Sequence, residues 1–215
     1  MRKWLKIALI VVIAAAAVGW FKRDWIMARL YLTTLESEGR VRSLQVERVI
    51  ETLEVVPGQV VVDLGAGTGL FSRPLARAVG PGGTAYAVDI NADLLAHIER
   101  TAVEQGLDNL VAVQATTDDP QIPEPADLIL ICDTLHHISN RPTYLTSLRH
   151  YLRPGGRVAV IDFFESVHLA PSMHYSLEEL DGWARAAGFT KAASYDFLDS
   201  NFFVVYSCGD CPEYN

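Results

Sequence analysis

Three glycines at alternate positions, Gly65, Gly67 and Gly69, follow a β-branched apolar run, Val60 to Val62, that ends in Asp63. Glycine lets a backbone turn sharply and lets a ligand approach it closely. In open α/β sheets, ligands bind outside the carboxyl ends of the strands, which is where this loop would lie. The loop, Asp63 and Ala66 are therefore candidates for a small-molecule site. A tight strand-to-helix turn with no ligand accounts for the same glycines. A dinucleotide fingerprint, G-x-G-x-x-G, would need its third glycine at position 70, which is Leu70. Asp89 stands about 20 residues beyond the loop, where a carboxylate can accept hydrogen bonds from ribose hydroxyls. Ile90 would then pack beside the base. A plain helix cap ahead of Asn91 and Ala92 is the alternative for Asp89.

The elements that would hold these residues alternate. Helical spacing over Val41 to Val55 is stopped by Pro57-Gly58. Strands are expected at Val60–Val62, Thr84–Val88, Leu110–Val113, Leu128–Cys132 and Val158–Phe163. Helices are expected at Phe71–Val79, Ala92–Gln105, Arg141–Leu152 and Leu177–Ala187, and two β-rich runs close the domain around Phe189–Tyr195 and Phe202–Ser207. Such alternation predicts an α/β fold, a mostly parallel sheet with helices on both faces. The last two strands have no helix between them, so one is expected to be antiparallel.

Four segments carry a family resemblance: Val61-Val62-Asp63-Leu64-Gly65-Ala66-Gly67-Thr68-Gly69, then Ala87-Val88-Asp89-Ile90-Asn91, then Asp127 through Asp133-Thr134-Leu135-His136-His137-Ile138, then Leu152-Arg153-Pro154-Gly155-Gly156-Arg157. In this order they resemble the motifs of the class I S-adenosylmethionine-dependent methyltransferases, over residues 41–207. The D-x-L-H-H-I segment is most similar to small-molecule enzymes related to the ubiquinone/menaquinone C-methyltransferases. The resemblance implies a Rossmann-like seven-stranded sheet in the order 3-2-1-4-5-7-6 and S-adenosyl-L-methionine as cofactor. It implies cofactor contacts from Asp63, Gly65, Ala66, Gly67 and Gly69 in the loop and from Asp89 and Ile90 after the second strand. Thr117, Asp118 and Asp133 complete that set. One stretch departs from the pattern: many relatives carry Gly-Asp-Ala after the third strand, where this chain has Gln114-Ala115-Thr116-Thr117-Asp118. Contact with the adenine amino group then falls to Asp118 or to backbone near Thr116.

Methyl transfer asks for alignment and exclusion of water, and for a base only if the acceptor must lose a proton. His136 and His137 follow the fourth strand, and an imidazole with a pKa of about 6.5 suits that task. Capping a helix or walling the pocket is the other reading of both. His168 and His174, with Asp133 and His137, lack the spacing of a metal motif, so no metal is expected. A nicotinamide-dependent oxidoreductase and a tethered, non-catalytic binding module or scaffold remain as alternatives.

The formal net charge of −8 argues against a nucleic-acid partner, which needs a basic face. Residues 7–21 carry no charge and are flanked by Arg2, Lys3 and Lys6 before and Lys22 and Arg23 after. The run is longer than many signal-peptide cores and shorter than the roughly 20 residues of a spanning helix. Trp20 and Phe21 beside Lys22 and Arg23 favour an uncleaved anchor; a cleaved signal and a peripheral helix are the alternatives. The expected organisation is an anchor over 1–23, a connecting helix over 24–40, the methyltransferase domain over 41–207 and a tail over 208–215. The acceptor is expected to be a small or lipid-like molecule near the membrane. The need for S-adenosylmethionine places the catalytic domain on the cytoplasmic side, although the basic residues before the apolar run oppose that orientation; secretion or a periplasmic location after cleavage is the alternative. Cys132 reads as a core residue. Cys208 and Cys211 read as unrelated thiols of the tail, with a reversible disulfide or half a metal site as alternatives.

Overall fold

A computed structural model describes residues 36–164, 170 and 173–211. The chain divides into a unit over 1–40 and a compact unit over 41–215. The anticipated anchor lies outside the described residues. Among the described residues, no helix is long and apolar enough to cross a membrane.

Seven strands form one sheet: β1 (Val60–Leu64), β2 (Thr84–Asp89), β3 (Leu110–Gln114), β4 (Ala126–Cys132), β5 (Leu152–Phe163), β6 (Thr190–Tyr195) and β7 (Asn201–Ser207). Their order is β3-β2-β1-β4-β5-β7-β6. The pairs from β3 to β5 are parallel, whereas β7 runs antiparallel to both β5 and β6. That agrees with the order the family resemblance implies and with the antiparallel element expected from the sequence. The helices are α1 (Glu38–Ser43), α2 (Val46–Thr52), α3 (Ser72–Val79), α4 (Ala92–Glu104), α5 (Arg141–Leu148) and α6 (Leu177–Ala186).

Two apolar layers show why the central strands read as unbroken hydrophobic runs. Val60, Val62 and Leu64 of β1 face Leu145 and Leu148 of α5 and Leu180 of α6 in one layer. Val61 faces the other way, with Val49 of α2, Leu75 of α3 and Ile98 of α4. Covered on both faces, β1 buries all five of its residues, and all but Asp63 are apolar. Each such side chain contributes about 1.5–3 kcal/mol by leaving water. The edge strand β6 carries exposed residues along most of its length.

Three local features differ from the sequence expectation. The helix anticipated over 41–55 breaks between α1 and α2, where Gln45 adopts left-handed dihedrals (φ 43°, ψ 50°). The break lets Leu44 and Val46 both enter the core, and the Gln45 side-chain amide donates to the carbonyl of Phe197. Strand β5 begins at Leu152, six residues before the expected start, and takes Pro154-Gly155-Gly156 into the sheet through a register shift opposite Ala126 and Leu128. Gly156 leaves no room for a side chain there, with the Arg153 and Ala126 carbonyls 2.9 and 3.1 Å from where its Cβ would stand. Last, Cys208 and Cys211 form a disulfide, which corrects their reading as unrelated thiols. Both are buried, and Cys208 exchanges backbone hydrogen bonds with Gly155 and Gly156, so residues 208–211 pack against the start of β5.

Candidate functional site

The glycine loop leaves the carboxyl end of β1 and enters α3. Gly65, Gly67 and Gly69 all have positive φ (77°, 55° and 83°), a conformation other residues reach only with strain. The loop is fastened to β2 by the Gly65 and Ala66 amides, both donating to the Val88 carbonyl at 2.8 and 3.0 Å. Arg73 holds its far side by donating to the Thr68 carbonyl at 2.7 Å. The Thr68 hydroxyl oxygen is buried inside this loop without a hydrogen-bond partner.

Asp63 lies beneath the loop and not on its open side. It is 4% exposed, and its carboxylate accepts from the Ser72 hydroxyl at the first turn of α3. Burial pushes its pKa up to about 6, with the nearby Asp89 charge adding to the rise and the Ser72 hydrogen bond opposing it. Its place is that of a buried strut between β1 and α3.

Asp89, at the end of β2, is the residue that ties the loop to the next helix. One carboxylate oxygen accepts from the Gly67 amide and the other from the Asn91 amide, each at 2.8 Å. Asn91 in turn caps α4 by accepting from the Asp93 and Leu94 amides. A carboxylate offers about four acceptor positions, so both oxygens keep capacity for ligand hydroxyls. Ile90 beside it is 60% exposed, an apolar side chain left open at the same rim. Thr117 and Asp118 form the exposed tip of a turn after β3 that is closed by the Thr116 amide donating to the Asp119 carbonyl. Its base joins the same rim, because the Ala115 amide donates to the Asp89 carbonyl at 3.0 Å.

The ends of β4 and β5 build a second cluster next to the first. Asp133 has left-handed φ (48°) and accepts from the Asn201 side chain at 2.7 Å. Thr134 then packs against Gly65, with its hydroxyl donating to the Cys132 carbonyl at 2.9 Å. A single 3-10 turn, Leu135–His137, follows. His136 is 5% exposed, and its Nδ1 lies 2.7 Å from Asp162 Oδ1 near the end of β5. Asp162 Oδ2 accepts from the Tyr175 hydroxyl at 2.7 Å and from the His136 amide at 3.1 Å. Arg141 steadies the turn by donating to the Leu135 and His136 carbonyls at 3.1 and 2.8 Å. A small, open cleft lies against this network, lined by His136, Asp162, Phe163, Phe164, Met173, His174 and Tyr175. His137 stands exposed with its ring centroid 4.1 Å from that of His136. Its pKa is lowered, first by partial burial and then by the neighbouring His136, with Asp162 opposing. Burial, and then the Asp162 charge that accepts its hydrogen bond, holds the Tyr175 hydroxyl protonated far above its ordinary range.

The sequence-predicted residues thus fall into two adjoining groups: the loop with Asp89 and Ile90, and Asp133 with the histidines. Asp162 and Tyr175 were missed. Asp162 carries the same signature as Asp63, Asp89 and Asp133, a carboxylate at the carboxyl end of an apolar strand, and that signature would have found it. Among the described residues no group of three or more His, Cys, Asp or Glu is placed to hold a metal ion; His168 lies outside them.

A family model described as a methyltransferase domain matches residues 62–158, which hold the loop, Asp89, Asp133 and both histidines. The chain is similar to the ubiquinone/menaquinone biosynthesis C-methyltransferase UbiE of Hahella chejuensis, 30% identical over 130 residues, covering 60% of this chain and 52% of that protein. It is also similar to UbiE of Bordetella avium, 28% identical over 148 residues, covering 67% of this chain and 57% of the relative. The chain spans about half the length of the curated relatives it matches. Among solved structures, an S-adenosylmethionine-dependent methyltransferase from Aquifex aeolicus shares the fold with a TM-score of 0.74 at 23% identity, over 82% of this chain and 96% of that one. Magnesium protoporphyrin IX methyltransferase from Synechocystis, with S-adenosylhomocysteine bound, shares it with a TM-score of 0.67 at 16% identity, over 90% and 99%. The chain thus matches a methyltransferase domain, resembles the UbiE group and shares the fold of S-adenosylmethionine-dependent methyltransferases; neither the oxidoreductase nor the scaffold alternative is favoured. The geometry fits that cofactor. Asp89 retains acceptor capacity, Ile90 offers an apolar surface beside it, and the loop has an unsatisfied buried hydroxyl at Thr68.

Proposed function

We propose that this chain transfers the methyl group of S-adenosylmethionine to a small acceptor held at the carboxyl ends of β4 and β5. The observation that carries the reading is adjacency. The glycine loop and Asp89 end β1 and β2, and the His136 cleft ends β4 and β5, of which β4 pairs directly with β1 in the sheet. When bound, the cofactor supplies a methyl group already activated on a positively charged sulfur. Asp89 and the loop backbone would hold its nucleoside, with Ile90 against the adenine and the Thr116–Asp118 turn at the rim. Asp133 and Thr134 would separate the two subsites, and the cleft beside His136 would align the acceptor and keep water out.

The relatives' names support a quinone-type or otherwise lipid-soluble acceptor. The uncharged stretch over residues 7–21 supports a membrane-proximal enzyme, because tethering raises the local concentration of such an acceptor. The need for S-adenosylmethionine supports a cytoplasm-facing domain, for which protease protection of sealed vesicles is the check. Incubation of the full chain with methyl-labelled cofactor and a membrane extract tests the activity. The expected result is label in solvent-extractable small molecules. Label in protein alone, or no transfer while the cofactor binds, overturns the reading.

A further inference from the structure

The buried Asp162 is not needed to join its strand to the sheet, yet four donors converge on it. Its Oδ1 receives the His136 ring at 2.7 Å and the Phe163 amide at 2.9 Å, and its Oδ2 receives the Tyr175 hydroxyl at 2.7 Å and the His136 amide at 3.1 Å. An ionised carboxylate only accepts, so His136 Nδ1 must carry the proton of that contact. The neutral ring then has its lone pair on Nε2, which has no hydrogen-bond partner among the described residues, and the ring forms part of the cleft wall. A buried carboxylate tied by four bonds is a rigid support, and a ring tied to it cannot flip to the other tautomer without leaving Nδ1 facing the carboxylate oxygen bare.

We propose that Asp162 is a positioning residue that fixes the Nδ1–H tautomer of His136, and that His136 Nε2 is the base that takes a proton from the acceptor's nucleophile. The proposal rests on the methyl-transfer reading above. It names the acceptor class as one whose nucleophile bears a dissociable proton, such as an acidic hydroxyl, and excludes tertiary amines and thioethers. The balance is simple. The acceptor O–H proton passes to Nε2, and the freed oxygen pair forms the new bond to the methyl carbon. The old carbon–sulfur pair stays on sulfur as a neutral thioether, and the imidazolium returns its proton to solvent. The charged and titratable groups around His136 suit this cycle. Asp162 from β5 and the Tyr175 hydroxyl stabilise the imidazolium, the Arg141 guanidinium of α5 is held on the Leu135 and His136 carbonyls, and His137 and His174 stand beside the cleft. The cleft wall is otherwise Phe163, Phe164, Met173 and Tyr175, an apolar and aromatic surface in which a free anion would not form unaided.

The test uses 4-nitrophenol, whose anion absorbs at a wavelength where the neutral form does not, with the full chain and saturating S-adenosylhomocysteine. Below the pH at which the free probe ionises, the wild type is expected to convert bound probe to its anion. His136→Gln is expected to bind it neutral. Asp162→Asn is expected to retain S-adenosylhomocysteine binding while anion formation falls at least about tenfold. In the ¹⁵N spectrum of the ligand-free protein, the His136 ring is expected to leave the Nδ1–H pattern in that variant. Tyr175→Phe, which keeps the His136–Asp162 contact, is expected to preserve the tautomer and so separates positioning from general loosening. Anion formation in His136→Gln, an unchanged ring tautomer in Asp162→Asn, or a wild type that binds S-adenosylhomocysteine but leaves the probe unbound or neutral overturns the proposal. Failure to bind S-adenosylhomocysteine at all counts against the methyltransferase reading instead, and the ring tautomer still decides the role of Asp162.

Discussion

Replacing Gly65 by alanine tests how the glycine loop is held against the second subsite. Gly65 has φ +77°, and a non-glycine residue there costs about 1–2 kcal/mol in backbone strain alone. The added Cβ would also stand 2.7 Å from Thr134 Cβ and closer still to Thr134 Oγ1 and Cγ2. No rotamer of Thr134 relieves a clash with its own Cβ, so its backbone must move and loosen the hydroxyl's bond to the Cys132 carbonyl. Overpacking of this kind adds about 1–3 kcal/mol. The total expected for Gly65→Ala is about 2–5 kcal/mol of lost stability, read from urea unfolding as a lower midpoint at constant slope. Thr134→Gly removes every atom of the clash, so the double variant should recover the crowding part and keep the strain part, a coupling of about 1–3 kcal/mol. A single variant costing under about 1 kcal/mol, or a double variant showing no coupling, would refute the packing argument.

Asp63→Asn should change the pH dependence of stability. The folded pKa of Asp63 is raised to about 6, so its contribution is fully present below the unfolded value of 3.8 and is lost as pH rises through 6. Wild type minus Asp63→Asn should therefore fall by about 3 kcal/mol between those limits, and a flat difference over that range contradicts the assignment. Asp89→Ala removes the acceptor for the Gly67 and Asn91 amides together with the proposed ribose contacts, so S-adenosylmethionine affinity should drop about 10–100-fold by titration calorimetry. An unchanged affinity would place the ribose elsewhere. Reducing Cys208–Cys211 opens a very short loop, so the unfolding midpoint should shift by no more than about 2 kcal/mol equivalent. A larger loss would mean that residues 208–211 hold β5 in place by more than their covalent link.

Alternating strand and helix signals made the fold legible, and glycine spacing with strand-end aspartates marked the candidate cofactor rim, because each follows from local rules. Parallel strands covered on both faces must be apolar throughout, and a carboxylate at such a strand's end is visible against that background. What a strand-end carboxylate faces is not local. Asp63 reads like Asp89 in the chain, yet Ser72 of α3 closes over one while the other stays at the rim. What Asp162 does was hidden because its partners come from distant segments: His136 lies 26 residues away and Tyr175 13. The turn at Gln45 and the early start of β5 were equally hidden. The first answers to Phe197, 152 residues on. The second answers to Cys208, whose carbonyl accepts from the Gly155 amide.

The most direct test of the account is calorimetric titration of the full chain with S-adenosylmethionine and, separately, with NAD. The account predicts one-to-one binding of S-adenosylmethionine, weakened by Asp89→Ala, and no measurable heat with NAD. Tight binding of NAD with none of S-adenosylmethionine would contradict it.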